Sequence, residues 1–227
     1  MAKKFGKRYR ADFETIKQIE TLPLPEAINT VLNFKKAKFD QSIDICMHLG
    51  VDPKHADQMI RGSLSLPHGI GKTKRVIAFC GPDKVEDAKA AGAIEAGAEE
   101  LVKKIEDGWM DFDVAVASPD MMRVVSRLGK ALGPRGLMPS PKSGTVTPKV
   151  ADAVKEYAAG KVEFRNDDGG NIHAIIGKQS FDAQKLVENA EAFIAQITRM
   201  KPSATKGHYI HSITVAGTMT PGIRVEL

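Results

Sequence analysis

The chain has 227 residues, 42% of them hydrophobic and 27% charged, with a net charge of +5 and a pI of about 9.1. That composition reads as soluble and globular, with room for one large or two modest domains. No apolar run approaches the roughly 20 residues of a membrane span, the first ten residues lack the apolar segment of a secretory signal, and two cysteines (Cys46 and Cys80) outside any CxxC pairing argue against a thiolate zinc site.

Residues 1–10 carry five basic groups and no acid, which predicts a mobile arm. "DFETIKQIETL" and "PEAINTVLNFKK" read as helices, the second with Pro25 in its first turn. "SIDICMHLG" alternates, with Ile43, Ile45, Met47 and Leu49 on one side and Ser42, Asp44, Cys46 and His48 on the other, the pattern of a half-buried strand. "PKHADQMIRG" reads as a short helix or turn and "SLSLP" as a strand. From about Arg75 the pattern changes: "RVIAFC" and "FDVAVAS" are continuous apolar strands, alternating with helices over "GPDKVEDAKAAG", "AEELVKKIEDG", "PDMMRVVSRLGKAL" and "PKVADAVKEYAAG". That alternation indicates a sheet covered on both faces.

After Gly160, "KVEFRN" and "NIHAIIG" read as strands joined by the hairpin signal "DDGG". "SFDAQKLVENAEAFIAQITRMK" is the longest helix, with Ser180 as its cap and Leu186, Val187, Ala190, Ile194 and Ile197 as its core stripe. "YIHSITVAG" and "GIRVEL" close the chain as strands. The expected architecture is α/β: a discontinuous α+β outer domain, residues 1–67 and 160–227, with a three-layer Rossmann-like α/β domain, 68–159, inserted in it.

Catalytic motifs are weak. "GLMPSPKS" departs from the phosphate-loop pattern at Pro141, where a glycine must supply a backbone N–H, and it follows a helix rather than a strand. "LPHGIGKT" lacks the first glycine. No G-x-S-x-G and no H-E-x-x-H occurs. Asp111 and Asp113 read as a solvated strand end, and Asp44, Cys46 and His48 share a strand face without a second ligand pair. Neither a cofactor nor a metal is expected.

The basic balance suits a polyanion, and the 6% aromatic content favours shape and phosphate contacts over a run of stacked bases. Between Met121 and Ala151 lie Arg123, Arg127, Lys130, Arg135, Lys142 and Lys149 with no acid. Prolines stiffen this loop and glycines allow close backbone approach. It reads either as a phosphate-backbone contact or as a solvated surface.

"LGKALGPRGLMPSPKSGTV" closely resembles the signature of the ribosomal protein L-one family, found in the mobile lateral stalk of the large ribosomal subunit. "KFD" at 38–40, "LGVDPKHADQMIRGSLSLPHGIGK" at 49–72, "GWMDFDVAVASPDMM" at 108–122, "VEFRNDDGGNIHAIIGKQSF" at 162–181 and "TMTPGIRV" at 218–225 resemble its bacterial form. The resemblance implies the nested two-domain fold and a structural, non-enzymatic component of the cytoplasmic ribosome. It implies three RNA partners: the 23S rRNA stalk, exit-site tRNA whose release the protein assists, and the mRNA of its own operon, whose translation it represses. The free protein is expected as a monomer away from membranes; a nucleotide-binding α/β enzyme is the alternative.

By the same resemblance, the RNA-binding residues are Lys38, Phe39, Arg165, His173, Gly177, Lys178, Thr218 and Met219, with Gly177 letting the backbone come close. The basic loop, read from its own residues, is expected to make a secondary contact to ribosomal or transfer RNA through Lys130, Arg135 and Lys142. Read on their own, Lys38 is a solvated lysine and Phe39 a core aromatic. Two positions depart from the family: Thr220 stands where it usually has Gly, and Gln41 where it commonly has Glu.

Overall fold

The strand Ser42–Leu49 finds both of its neighbours more than a hundred residues downstream, and that long-range pairing shapes the chain. A computed structural model describes residues 5–55, 57–205 and 207–226. In chain order they form α1 (Lys7–Ile16), α2 (Leu24–Asn33), β1 (Ser42–Leu49), β2 (Arg61–Leu64), β3 (Val76–Phe79), α3 (Val85–Ala90), β4 (Glu95–Gly97), α4 (Glu99–Glu106), β5 (Val114–Ala117), α5 (Met122–Val125), α6 (Gly129–Leu132), α7 (Val150–Ala158), β6 (Val162–Arg165), β7 (Asn171–Lys178), α8 (Ala183–Arg199), β8 (Ile210–Gly217) and β9 (Ile223–Val225). Two compact units result, Met1–Gly71 with Phe164–Leu227, and Lys72–Glu163. The protein is of the α/β class, and no helix among the described residues is long and apolar enough to cross a membrane.

The split unit is built on an antiparallel sheet in the order β7-β1-β8-β9. β1 buries Ile43, Ile45, Met47 and Leu49 and leaves its alternate residues on the open side, as the period-2 pattern predicts. Helices α2 and α8 contact each other and the sheet. The α8 stripe differs from expectation. Leu186, Ala190 and Ile197 are buried, but so are Asn189 and Phe193, whereas Val187 and Ile194 are half-buried. Asn189 is polar, so an apolar pattern misses it; its Nδ2 donates to the carbonyls of Gly69 (3.0 Å) and Ile176 (2.8 Å), and its Oδ1 accepts from His68 N (3.1 Å).

Several local expectations are corrected. The expected N-terminal arm is helical from Lys7, because Asp12 and Ile16, one turn apart, both turn inward; residues 1–4 of that arm lie outside the described residues. The helix read over "DFETIKQIETL" therefore sits further toward the N-terminus, and Leu22 instead bridges to Val225. The stretch 119–132 is broken into a 3-10 turn, α5, a second 3-10 turn and α6, where Ser126 Oγ donates back to the Arg123 carbonyl at 2.8 Å. Ser180 does not cap α8. Its N–H and hydroxyl both donate to the Asp40 carboxylate (3.0 and 2.8 Å), and Asp182 holds the cap position.

The "DDGG" turn forms, but it does not join a hairpin. Asp167 Oδ1 accepts from Gly169 N and Asn171 N and closes the turn locally. Across it, Asn166 and Ile172 form an isolated bridge and Asp167 N donates to the Asn171 carbonyl (2.8 Å), without a continuous ladder. β6 pairs with β2 instead, beside which Asn166 exchanges bonds with Ile60 through both its N–H and its Oδ1 (3.0 Å each).

The second unit contains a parallel sheet in the order β4-β3-β5. Its strands β3 and β5 are buried on both faces, whereas β4, at the edge, is half-buried. Val76, Ala78, Val114 and Val116 pack with Val150, Val154 and Tyr157, while Ile77, Phe79, Ala115 and Ala117 pack with Leu101, Ile105, Leu128 and Leu132. This is the three-layer arrangement that continuous apolar strands dictate.

In the split unit, a bulge between Ile43 and Asp44 makes Ile176 the extra residue, so Ile176 and Gly177 are both buried. A Cβ on Gly177 would lie 2.6 Å from Leu186 Cδ2 and 3.0 Å from Phe181 Cδ2. Gly177→Ala is therefore expected to lower stability by about 1–3 kcal/mol through overpacking, measured by urea unfolding; an unchanged midpoint contradicts this account of the glycine.

Candidate nucleic-acid interface

Antiparallel pairing brings the start of β1 and the ends of β7 and β8 to one edge of the sheet, where Ser42 faces Lys178 and Ile43 faces both Gly177 and Gly217. Three loops therefore meet there: 38–41, 178–180 and 218–220. Lys38, Phe39, Lys178, Thr218 and Met219 are brought together by this pairing. Phe39 and Met219 are each 53% exposed, so Phe39 is not a core aromatic. Lys38 is exposed as well.

Gln41 ties the three loops. It is fully buried, its Oε1 accepts from Met219 N at 2.9 Å, its Nε2 donates to Gln179 Oε1 at 3.1 Å, and its carbonyl accepts from Gln179 N at 2.8 Å. Ser42 N donates to Thr218 Oγ1 (3.1 Å) and Lys178 Nζ donates to Ser42 Oγ (2.9 Å). Residues 217–220 form a tight turn with Thr220 N donating to the Gly217 carbonyl (3.1 Å) and Gly217 N donating to Thr220 Oγ1 (2.8 Å). Thr218 and Met219 stand at its corner. No non-glycine residue among those described has positive φ, so Thr220 fits the turn without left-handed strain. Beside Phe39 lies an open concavity of about 310 Å³ lined by Lys36, Lys38, Phe39, Asp40 and Gln179.

Of the other three candidates, His173 and Arg165 lie elsewhere and Gly177 is buried. His173 sits mid-strand opposite Cys46, with Nε2 3.7 Å from Asp167 Oδ2. Arg165 is exposed at the end of β6, in the second sheet. Gly177 is buried against Leu186 and Phe181, which gives it an internal packing role rather than an open backbone for a ligand. Sequence reasoning missed Gln179 and Ser180, whose polar character in a turn carried no positional signal.

On the open side of β1, burial pushes the Asp44 carboxyl up, opposed by the charges of Lys178 and His173. Burial also raises the Cys46 thiol. No group of three or more His, Cys, Asp and Glu among the described residues could hold a metal ion.

In the second unit, Arg123, Arg127, Lys130, Arg135, Lys142 and Lys149 are exposed, and none of them forms an ion pair with an acid among the described residues. The loop that carries Arg135 and Lys142 is anchored from within. Ala117 N donates to the Thr145 carbonyl (2.9 Å) and Thr147 N to the Ala117 carbonyl (3.1 Å), so Val146 lies as an extra parallel bridge beside β5. Tyr157 OH donates to the Ser143 carbonyl at 2.5 Å. Pro141 opens a 3-10 turn in which Gly144 N bonds the Pro141 carbonyl; this backbone is engaged internally where a phosphate loop would present N–H groups. Asp111 and Asp113 both pair with Arg75, whose hydrogen bonds hold the Asp113 carboxyl below its usual range.

Residues 31–221 match the model of the Ribosomal protein L1p/L10e family. Similar proteins include the large ribosomal subunit protein uL1 of Kosmotoga olearia, 50% identical over 98% of this chain and 96% of its own length. Those of Nitratidesulfovibrio vulgaris (51%; 98% and 95%) and a Nocardioides species (52%; 97% and 92%) carry the same name.

Two outcomes follow from this geometry. Gln41→Ala strands Met219 N and Gln179 Oε1, and is expected to cost about 1–3 kcal/mol, read by chemical denaturation; a neutral effect contradicts the tie. Asp44→Asn is expected to raise the melting temperature at neutral pH. Burial disfavours the Asp44 charge in the folded state, so wild-type stability falls as pH rises through the raised folded value. The advantage of Asn should accordingly vanish as pH falls toward the unfolded value of 3.8, in melts taken across that range.

Proposed function

The chain belongs to the Ribosomal protein L1p/L10e family, and from that membership we propose that it is a component of the large ribosomal subunit that binds 23S rRNA at the mobile lateral stalk. In this reading it also helps release deacylated tRNA from the exit site and represses its own operon by binding mRNA that mimics the ribosomal site. It works as a structural protein of the cytoplasmic ribosome, monomeric when free, and not as an enzyme.

One observation carries the RNA-binding reading. Phe39 and Met219, two large apolar side chains more than half exposed, stand at the same sheet edge as Lys38 and Lys178. Exposed apolar groups beside cations are what a sugar–base surface with its phosphates requires. The buried Gln41 network favours preorganisation, so that little ordering entropy is lost on binding. Arg165 and His173 extend the contact along the split unit. Lys130, Arg135 and Lys142 form a secondary RNA contact on the inserted unit, supported by their exposure, their lack of acidic partners among the described residues and the anchored loop.

Gel shifts with stalk RNA at several salt concentrations test this reading. Phe39→Ala and Met219→Ala should each weaken binding by about 1–3 kcal/mol. Exchanging Arg135 and Lys142 for Ala should lower both affinity for the full stalk and the salt slope, by roughly one unit or more. Equal affinity for duplex DNA and stalk RNA, or no binding at low salt, sinks the proposal; an unchanged slope removes only the secondary contact.

A further inference from the structure

Helix α1 carries an aromatic file, exposed at Phe5 and Phe13 and half-buried at Tyr9, that the surface described above does not use. Phe5, Tyr9 and Phe13 recur every fourth residue and so lie along one side of the helix and its entry. Their rings are nearly parallel: Phe5 and Tyr9 have centroids 4.6 Å apart and planes 20° apart, Tyr9 and Phe13 6.2 Å and 10°. Phe5 is 52% and Phe13 44% exposed. The buried side of the helix is formed by Asp12 and Ile16 instead. Aromatic rings that could pack inward are therefore held outward as a stack.

Two bonds place this helix at the sheet edge. Arg8 Nη2 donates to the Met219 carbonyl at 3.0 Å. Lys35 N, at the stem of the loop that carries Lys38 and Phe39, reaches Asp12 Oδ1 at 3.5 Å. The file thus belongs to an element fastened to both loops that present Phe39 and Met219. Lys7 and Arg10 are exposed on the same helix, and the sequence before Asp12 has five basic residues and no acid.

We propose that α1 is a further RNA-binding element. The outward faces of Phe5 and Phe13, at the two ends of the file, supply stacking surfaces for an unpaired base or ribose, and Lys7 and Arg10 neutralise neighbouring phosphates. This rests on the RNA-binding reading of the adjoining surface. Charge selects the occupant: a nonpolar protein face would match the rings but leave the cations unmatched, whereas a single-stranded or bulged nucleotide matches both. Because every base has a π face, the contact adds affinity without reading sequence.

The test uses the full chain and stalk RNA, with melting temperatures as the folding control. Phe5→Ala with Phe13→Ala should weaken binding about tenfold. Phe5→Leu with Phe13→Leu, which keeps apolar bulk but removes the π faces, should weaken it similarly. Lys7→Gln with Arg10→Gln should reduce the slope of log affinity against log salt by roughly 1.5. Tight wild-type binding with all three variants unchanged overturns the role of α1 and leaves the RNA-binding reading standing; a wild-type chain that ignores the RNA overturns both. A leucine pair that binds like wild type, beside a weakened alanine pair, overturns stacking.

Discussion

A buried primary amide has to find partners for its donors and acceptor or it costs the fold their full desolvation. Gln41 meets that demand by reaching two places distant in sequence, Gln179 after β7 and Met219 after β8. The edge of the split unit's sheet follows from it. Satisfying one side chain fixes the spacing of three loops, and Phe39, Lys178 and Met219 take their positions from those loops. The presence of an amide rather than a carboxylate also keeps this buried node uncharged, so that no counter-ion is needed inside the sheet edge.

The inserted unit solves a different problem. Its strands β3 and β5 have no solvent face, and the segment after α6 has to return to the sheet without leaving carbonyls orphaned. It does so through Val146 beside β5 and through the Ser143 carbonyl under the Tyr157 hydroxyl. The loop's cations are thereby carried on backbone whose own hydrogen bonds are already made. Rigid presentation of charge, rather than a flexible tether, is the physical character of this surface.

Much of this was legible in the sequence where period and burial agree. β1 alternates residue by residue, and β3 and β5 are apolar throughout, so their half-buried and fully buried environments could be read directly. Legibility failed where polar side chains do structural work. Asn189 in the α8 core, Asn166 beside β2 and Asp40 under Ser180 each depend on partners more than a hundred residues away. The basic opening of the chain hid α1, because charge suggested an arm while Asp12 and Ile16 supplied an inward face. Within the candidate interface, the resemblance supplied Phe39 and Met219, whose exposure neither residue type announces. It also supplied Gly177, whose internal packing explains the glycine without any ligand.

The pairing of β1 has a consequence for synthesis. Ser42 and Lys178, joined side chain to side chain, are 136 positions apart, and the other flank of β1 is β8, later still. At translation rates of about 5–20 residues per second, β1 emerges on the order of ten seconds before either neighbour. During that interval it is a nascent strand with two unsatisfied edges, while the segment containing β3 to α7 emerges ahead of β7 and β8. Vectorial folding of this polypeptide therefore places the inserted unit first, and the sheet edge with its three loops can close only once β8 and the turn after it have left the exit tunnel.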